Sequence, residues 1–319
     1  MVQYNQGMEN RNLTLEKSIL ATLCYFDVFD YPLTSVEIWK WLLMRDNKER
    51  TVEIFEIIQV LEKSEFLKKR VEVKQGFYFL KGRAETVSLR KERYKIAEHK
   101  FQKAIKIARL LRHIPFVIMI AVCNTLAFSN SRDGSDIDLF IITDRNRIWQ
   151  TRFWVTGFLK LFRLRPSVQK TKDTICASFF IDEMNLNLES LTLDGDIYLP
   201  YWMTQVFPLY NEGVYEQFLA ANNWVKERLV NYLSVKPAVR RQIAKQSRLK
   251  KAFSFFAAFL PESIFKKYQW RILPRRLKEM ANKDSRVVVQ DHMLKFHDND
   301  RRELFLTLFQ KRLASVMNE

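Results

Sequence analysis

From Phe116 to Cys123 the chain is almost continuously apolar. It then breaks at Asn124-Thr125, crosses the polar stretch Ser129 to Ser135, and returns as Asp136-Ile-Asp138-Leu-Phe-Ile-Ile-Thr143. Two short apolar runs bounded by turn residues read as strands, joined by a short turn into a helix and a polar loop. Period-2 alternation in the second strand puts Asp136 and Asp138 on one face, with Ile137 and Leu139 on the other. The carboxylates then stand about 6–7 Å apart on a rigid support, where they can share one hard divalent cation or bridge two. Mg²⁺ keeps several waters and is usually completed by substrate phosphates, so this pattern suits a nucleoside triphosphate. The alternative is a strand that opens with acids because they are solvated.

The stretch resembles the signature of the nucleotidyltransferase superfamily typified by DNA polymerase beta: a Gly-Ser pair opening a helix, a loop, then Asp-x-Asp on a strand. Here residues 126 to 135 fill the interval between Thr125 and Asp136, and Asn124-Thr125 stand where the family usually has Gly-Ser. Thr keeps the hydroxyl, and Asn tolerates φ > 0 better than most residues. The resemblance implies an α+β chain with a nucleotidyltransferase-fold mixed sheet and helices. It implies Mg²⁺ (or Mn²⁺) held by Asp136 and Asp138, and an NTP bound by Asn124 and Thr125, with Ser135 orienting the loop. The implied reaction moves an NMP group from the NTP to an acceptor: nucleic acid, a protein hydroxyl or a small molecule. A third carboxylate is implied on the next strand, Thr174 to Ile181, as base for the attacking hydroxyl. The middle of that strand carries Cys176 and Ser178 instead. Acids stand only at Asp173, Asp182 and Glu183, and Asp182, sharing a face with Ser178, is the candidate.

Further along, the polar segment Asp291 to Arg302 offers Lys295, Arg301 or Arg302 to phosphate and His297 as a base. The alternative there is a helix start capped by Asp298 or Asp300, with solvated arginines. Against the enzyme stands a catalytically inactive protein of the same fold, acting as a nucleotide sensor or DNA/RNA-binding regulator.

The sequence expects four units. Residues 12–82 give three helices (Leu13 to Phe26, a second capped by Thr34 or Ser35, and Thr51 to Ser64) and a hairpin over 66–80. That order resembles a winged helix-turn-helix. The third helix carries Glu53, Glu56, Glu62 and Glu65 against Arg50 and Lys63, a poor match for phosphate. The wing has Lys68, Lys69, Arg70 and Lys74, which keeps DNA open beside a protein-docking role. Residues 84–113 read as a connector helix with Tyr94, Ala97, Phe101, Ala104, Ala108 and Leu111 on one face. The catalytic core is expected over 114–196. A basic helical domain is expected over 197–319, with helices at 198–210, 214–233, 238–259, 264–283 and 301–316.

Composition narrows the classes. Only 7 glycines occur in 319 residues, which excludes Gly-rich phosphate loops. Cys24, Cys123 and Cys176 lie in apolar segments without CxxC spacing and read as buried thiols in a reducing cytoplasm. The net charge of +17 is concentrated beyond residue 235, where twenty Lys/Arg meet eight Asp/Glu. Such a region suits a polyanionic partner, including nucleic acid. No signal segment or spanning apolar run is visible, so stable membrane insertion is not expected. The run Ala252 to Leu260, flanked by lysines, reads as a core helix, with a membrane-surface helix as the alternative. Oligomeric state is not legible.

Overall fold

The computed structural model describes residues 2–44, 51–167, 169–243 and 248–318. Helix α1 (Val2–Asp27) ends in a turn that places Asp30 at φ +52°. Thr34 then opens α2 (Ser35–Lys40): its hydroxyl accepts from Glu37 N, and the Glu37 carboxylate accepts from Thr34 N at 2.9 Å. This reciprocal capping satisfies two helix-terminal donors. Helix α3 (Ile54–Lys63) buries Ile57 and Leu61, while Ile58 is exposed. Arg50 lies outside the described residues. Ser64 caps a further turn, α4 (Glu65–Lys68), so Phe66 to Lys68 is helical where a strand was expected. The hairpin is β1 (Val71–Lys74) and β2 (Phe77–Leu80), closed by Gln75 and Gly76, both at positive φ. A two-residue turn of that kind matches the strand twist.

Helix α5 (Glu85–Leu111) buries Ala97, Phe101, Ala104, Ala108 and Leu111 as its period demands, but it exposes Tyr94 and buries Lys100. The chain then lays down β3 (Val117–Val122), α6 (Asn124–Ala127), β4 (Ile137–Thr143), α7 (Ile148–Leu161) and β5 (Ile175–Asp182). Next come α8 (Tyr198–Gln205), β6 (Phe207–Asn211) and α9 (Val214–Ala221). The remainder is α10 (Arg248–Ala258), α11 (Glu262–Ile272), α12 (Arg275–Met280), β7 (Val287–Val289), β8 (Met293–Phe296) and α13 (Arg302–Met317).

The protein is α+β. Six strands form one mixed sheet in the order β6-β3-β4-β5-β8-β7, with β4 and β5 parallel and the other pairs antiparallel. Alternation along β4 sends Phe140 and Ile142 into one core and Leu139 and Ile141 into the other. The first core also holds α1 and α2: Tyr25 stacks on Tyr201 at 4.1 Å, and Phe26 stacks on Trp41 at 4.8 Å. The second lies beneath α5, α7 and α11.

Residues 197–319 therefore do not make a helical domain. They supply β6, β7 and β8, half of the central sheet. Pro208 explains β6: proline breaks a helix interior but is tolerated on an edge strand. The expected helix over 214–233 stops at Ala221, where Asn222 turns its amide to Leu186 O and Leu188 N. Pro274 splits the one expected over 264–283. The one expected over 238–259 is helical from Arg248 to Ala258, and its residues 244–247 lie outside the described residues. Ala252 to Leu260 is not core: among its residues only Ala257 is buried, and Phe255, Phe256 and Phe259 are 64–73% exposed. Among the described residues no helix is long and apolar enough to cross a membrane.

Candidate metal centre

Strand β4 begins at Ile137, so Asp136 stands at its mouth and Asp138 on its first outward position, on the side of Phe140. The parallel neighbour β5 sets Cys176 opposite Asp138. One ligand atom from each of Asp136, Asp138 and Cys176 lies within 4.8 Å of the others. Next to Cys176 the register slips: Leu139 pairs with Ala177 and Phe140 with Phe179, leaving Ser178 as an extra residue. The bulge re-aims Ser178, whose hydroxyl lies 3.0 Å from His297 Nε2, on the chain just beyond β8.

The electrostatics are those of two acids crowded together away from solvent. Burial, and then the charge of Asp136, push Asp138 up to about 7, against hydrogen bonds from Asn124 and Cys176. Burial raises Asp136 as well, against a backbone hydrogen bond and the charge of Lys100. Among the described residues no Lys or Arg side chain is hydrogen-bonded to either carboxylate. A divalent cation is the group that relieves such a pair. The two carboxylates suit Mg²⁺ or Mn²⁺. The thiol of Cys176 is pushed up to about 12 by burial and by Asp138, and a protonated soft donor adds nothing to Mg²⁺.

Asn124 adopts φ +56°, and its Oδ1 accepts from Tyr198 OH at 3.2 Å and Trp202 Nε1 at 3.0 Å. Those bonds fix the amide so that it serves Asp138; Asn124 braces the carboxylate. Both Asn124→Gly and Asn124→Ala lose this bracing, but only Ala must hold a Cβ at positive φ. The Ala variant is expected to be about 1 kcal/mol less stable than the Gly variant. Equal urea midpoints for the two would refute that backbone account.

The remaining sequence candidates separate. Thr125 lines a cleft of about 490 Å³ together with Asn124, Asp136, Asp138 and Cys176. Ser135 does not line it; its hydroxyl donates to Arg132 O at 2.9 Å, and its carbonyl accepts from Lys100 Nζ at 2.7 Å. Lys295 lines the cleft, but its ammonium donates to Ser285 O and Asp300, and burial lowers it to about 8. Arg302 is buried in the wall on Asp300, Asp196, Leu191 O and Ser285, not solvated. Arg301 is exposed at the rim, and among the described residues its guanidinium has no ion-pair partner.

Asp182 does not reach the site. It pairs with Thr143 at the far end of β5, six residues beyond Cys176 and so roughly 20 Å from Asp138. There it accepts from Met184 N and the Asn185 amide. The bulge at Ser178 breaks the parity that would have put Asp182 on the face of Ser178. No protein family model, curated protein or solved structure matches this chain.

Lys100 escaped the sequence reading. Only 2% exposed, it donates to Asp133 O, Ser135 O and Asp173, pinning the loop that delivers Asp136. The signal was there: Lys100 falls on the stripe of Ala97 and Ala104. The larger hollow at the opposite end of the sheet, about 750 Å³ beside Glu183 to Asn187, is lined by none of Asn124, Thr125, Asp136, Asp138 and Cys176.

Proposed function

We propose that the protein is a nucleotidyltransferase of the polymerase-beta type that moves an NMP group from an NTP to an acceptor. The observation that carries this reading is the crowded pair Asp136 and Asp138, hydrogen-bonded to no Lys or Arg among the described residues, at the mouth of a cleft with Arg301 on its rim. The order β3, α6, loop, β4 matches the strand, helix, loop and Asp-x-Asp strand of that superfamily, and the hairpin after α4 is read as the wing of a winged helix.

Asp136 and Asp138 would hold Mg²⁺ or Mn²⁺, which neutralises phosphate charge. Asn124 keeps Asp138 oriented. Thr125 and Arg301 meet the triphosphate, where a guanidinium can grip two oxygens at once. An acceptor oxygen bonds to the α-phosphorus as the bond to pyrophosphate breaks. No carboxylate stands on β5 beside Asp138 to take a proton, and burial lowers His297 to about 3, a weak base. The favoured acceptor is therefore one whose attacking oxygen is already ionised at neutral pH.

Contact with nucleic acid through the wing is weakened, because Lys68 is paired with Glu65 and Arg70 is buried against Val316 O. Beyond residue 235 exposed cations such as Lys267, Arg271 and Arg301 remain available to a polyanion. One observation favours the inactive sensor as the second reading: Cys176 and Ser178 occupy the strand positions where a third carboxylate would sit.

Incubation with each α-³²P-labelled NTP, Mn²⁺ and total RNA, phosphorylated small molecules or the protein itself tests this. Label transfer identifies the acceptor class. Cation-dependent NTP binding without transfer selects the sensor. Absence of both overturns the reading.

A further inference from the structure

Helix α10 is docked by a narrow side, with Ala257 buried and its carbonyl accepting from Gln150 on α7. Its opposite side carries Leu249, Phe253, Phe255, Phe256 and, just beyond the helix, Phe259 and Leu260, all exposed. At 100° per residue the four helical ones, Leu249, Phe253, Phe255 and Phe256, fall within one sector of about 160°. Phe255 contacts both Phe256 and Phe259, so the rings form one surface.

Helix α11 follows after Pro261 and is pinned to the same α7 by Gln269, which donates to Trp149 O. It exposes Ile264, Tyr268 and Ile272 at four-residue steps, beside a second row made by Lys267 and Arg271. Between residues 248 and 276 there are eight Lys/Arg, of which Lys250 is buried on Glu212 and Lys266 pairs with Asp291 while Lys251, Lys267 and Arg271 are exposed, and a single acid, Glu262. Its carboxylate accepts from Trp149 N and Gln150 N at the start of α7.

We propose that the α10–α11 face docks on a membrane surface carrying anionic headgroups. Aromatic and aliphatic side chains on one side of short helices, bordered by cations, are the chemistry of an interfacial anchor. The apolar row enters the acyl boundary while Lys and Arg meet the headgroups. A second copy would bring two such cationic borders together, which opposes a two-fold contact. Bases stack on aromatic rings, but Leu249, Leu260, Ile264 and Ile272 give a nucleic acid nothing to stack on. The inference is independent of the chemistry at Asp136 and Asp138.

Co-sedimentation of the full chain with vesicles of phosphatidylcholine alone, and of phosphatidylcholine with phosphatidylglycerol, tests it. The chain is expected to partition at least about tenfold more strongly onto the anionic vesicles. The triple variant Phe255→Ser, Phe256→Ser, Phe259→Ser should lose about tenfold or more, with an unchanged melting temperature because the rings are exposed. Lys267→Glu with Arg271→Glu should lose on the order of tenfold on anionic vesicles only. Three results overturn the proposal: no partitioning of the wild type onto either vesicle, a dimer in lipid-free solution that the triple variant dissociates, or poly(U) binding that the triple variant abolishes while vesicle binding is unchanged.

Discussion

Asp138→Asn is expected to raise the melting temperature of the metal-free protein while abolishing Mn²⁺ binding and cutting nucleotidyl transfer by at least about a thousandfold. The two effects have one cause. In the folded chain burial and Asp136 hold the Asp138 proton up to about pH 7, whereas an unfolded Asp releases it near pH 4. A pKa raised by folding means that the native state binds more protons across that window. The contribution to stability is therefore favourable below about pH 4, declines as pH rises and is fully lost above about 7. Asn carries no charge to desolvate, so at pH 8 the variant should gain about 2 kcal/mol over metal-free wild type, and the pH dependence in that window should flatten. Cation binding has the opposite sign, because the cation needs the ionised pair. Wild-type Mn²⁺ affinity should rise with pH and level off above about 7. Calorimetric titration at pH 5.5 and 8, with melting curves of both proteins, checks the set. A variant that is less stable than wild type without metal would mean that Asp138 is structural, and the metal reading would fail.

How far the sequence carried depended on whether the cause was local. The pair Asp136 and Asp138, the break at Asn124 and the apolar strands around them were legible because alternation and turn chemistry act over a few residues. Asn124 at positive φ and the Thr34 cap follow from the same short-range rules. The partners of the site were not legible, because they are set by strand order. Nothing local says that Met293 to Phe296 pairs with β5, so Ser178 and His297, 119 residues apart, could not be joined in advance. Asp182 failed for a related reason: one bulged residue inverts every parity beyond it. The helices expected in the C-terminal third came from apolar periodicity, which does not separate a buried strand such as β6 from a helical segment of the same length. The face of α10 was misread because a periodic apolar stripe reports amphipathicity and not what covers it.

Arg301 and Arg302 are adjacent in sequence, and substitutions at the two positions should separate cleanly. Arg302 is 6% exposed and its guanidinium meets Asp300, Asp196, Leu191 O and Ser285 Oγ, joining the segment after β8 to the loops before α8 and β7. Arg302→Leu leaves Asp300 with Lys295 and the backbone N–H of residue 302, and Asp196 with only the backbone N–H groups of Leu193, Tyr198 and Leu199. Breaking one side of a buried pair is costly because the other charge stays behind, so about 3 kcal/mol of stability should be lost. Arg302→Lys should recover only part of it, since an ammonium cannot span four acceptors as a planar fork does. Arg301→Leu should change stability by less than about 0.5 kcal/mol, the ordinary effect of an exposed substitution. Its loss should instead appear in the cleft, as roughly tenfold weaker NTP binding in the presence of Mn²⁺. Urea unfolding and fluorescence titration with a labelled nucleotide read the two quantities separately. If Arg301→Leu binds nucleotide as the wild type does, the rim cation has no anionic ligand, and Asp136 and Asp138 hold their cation for some other substrate.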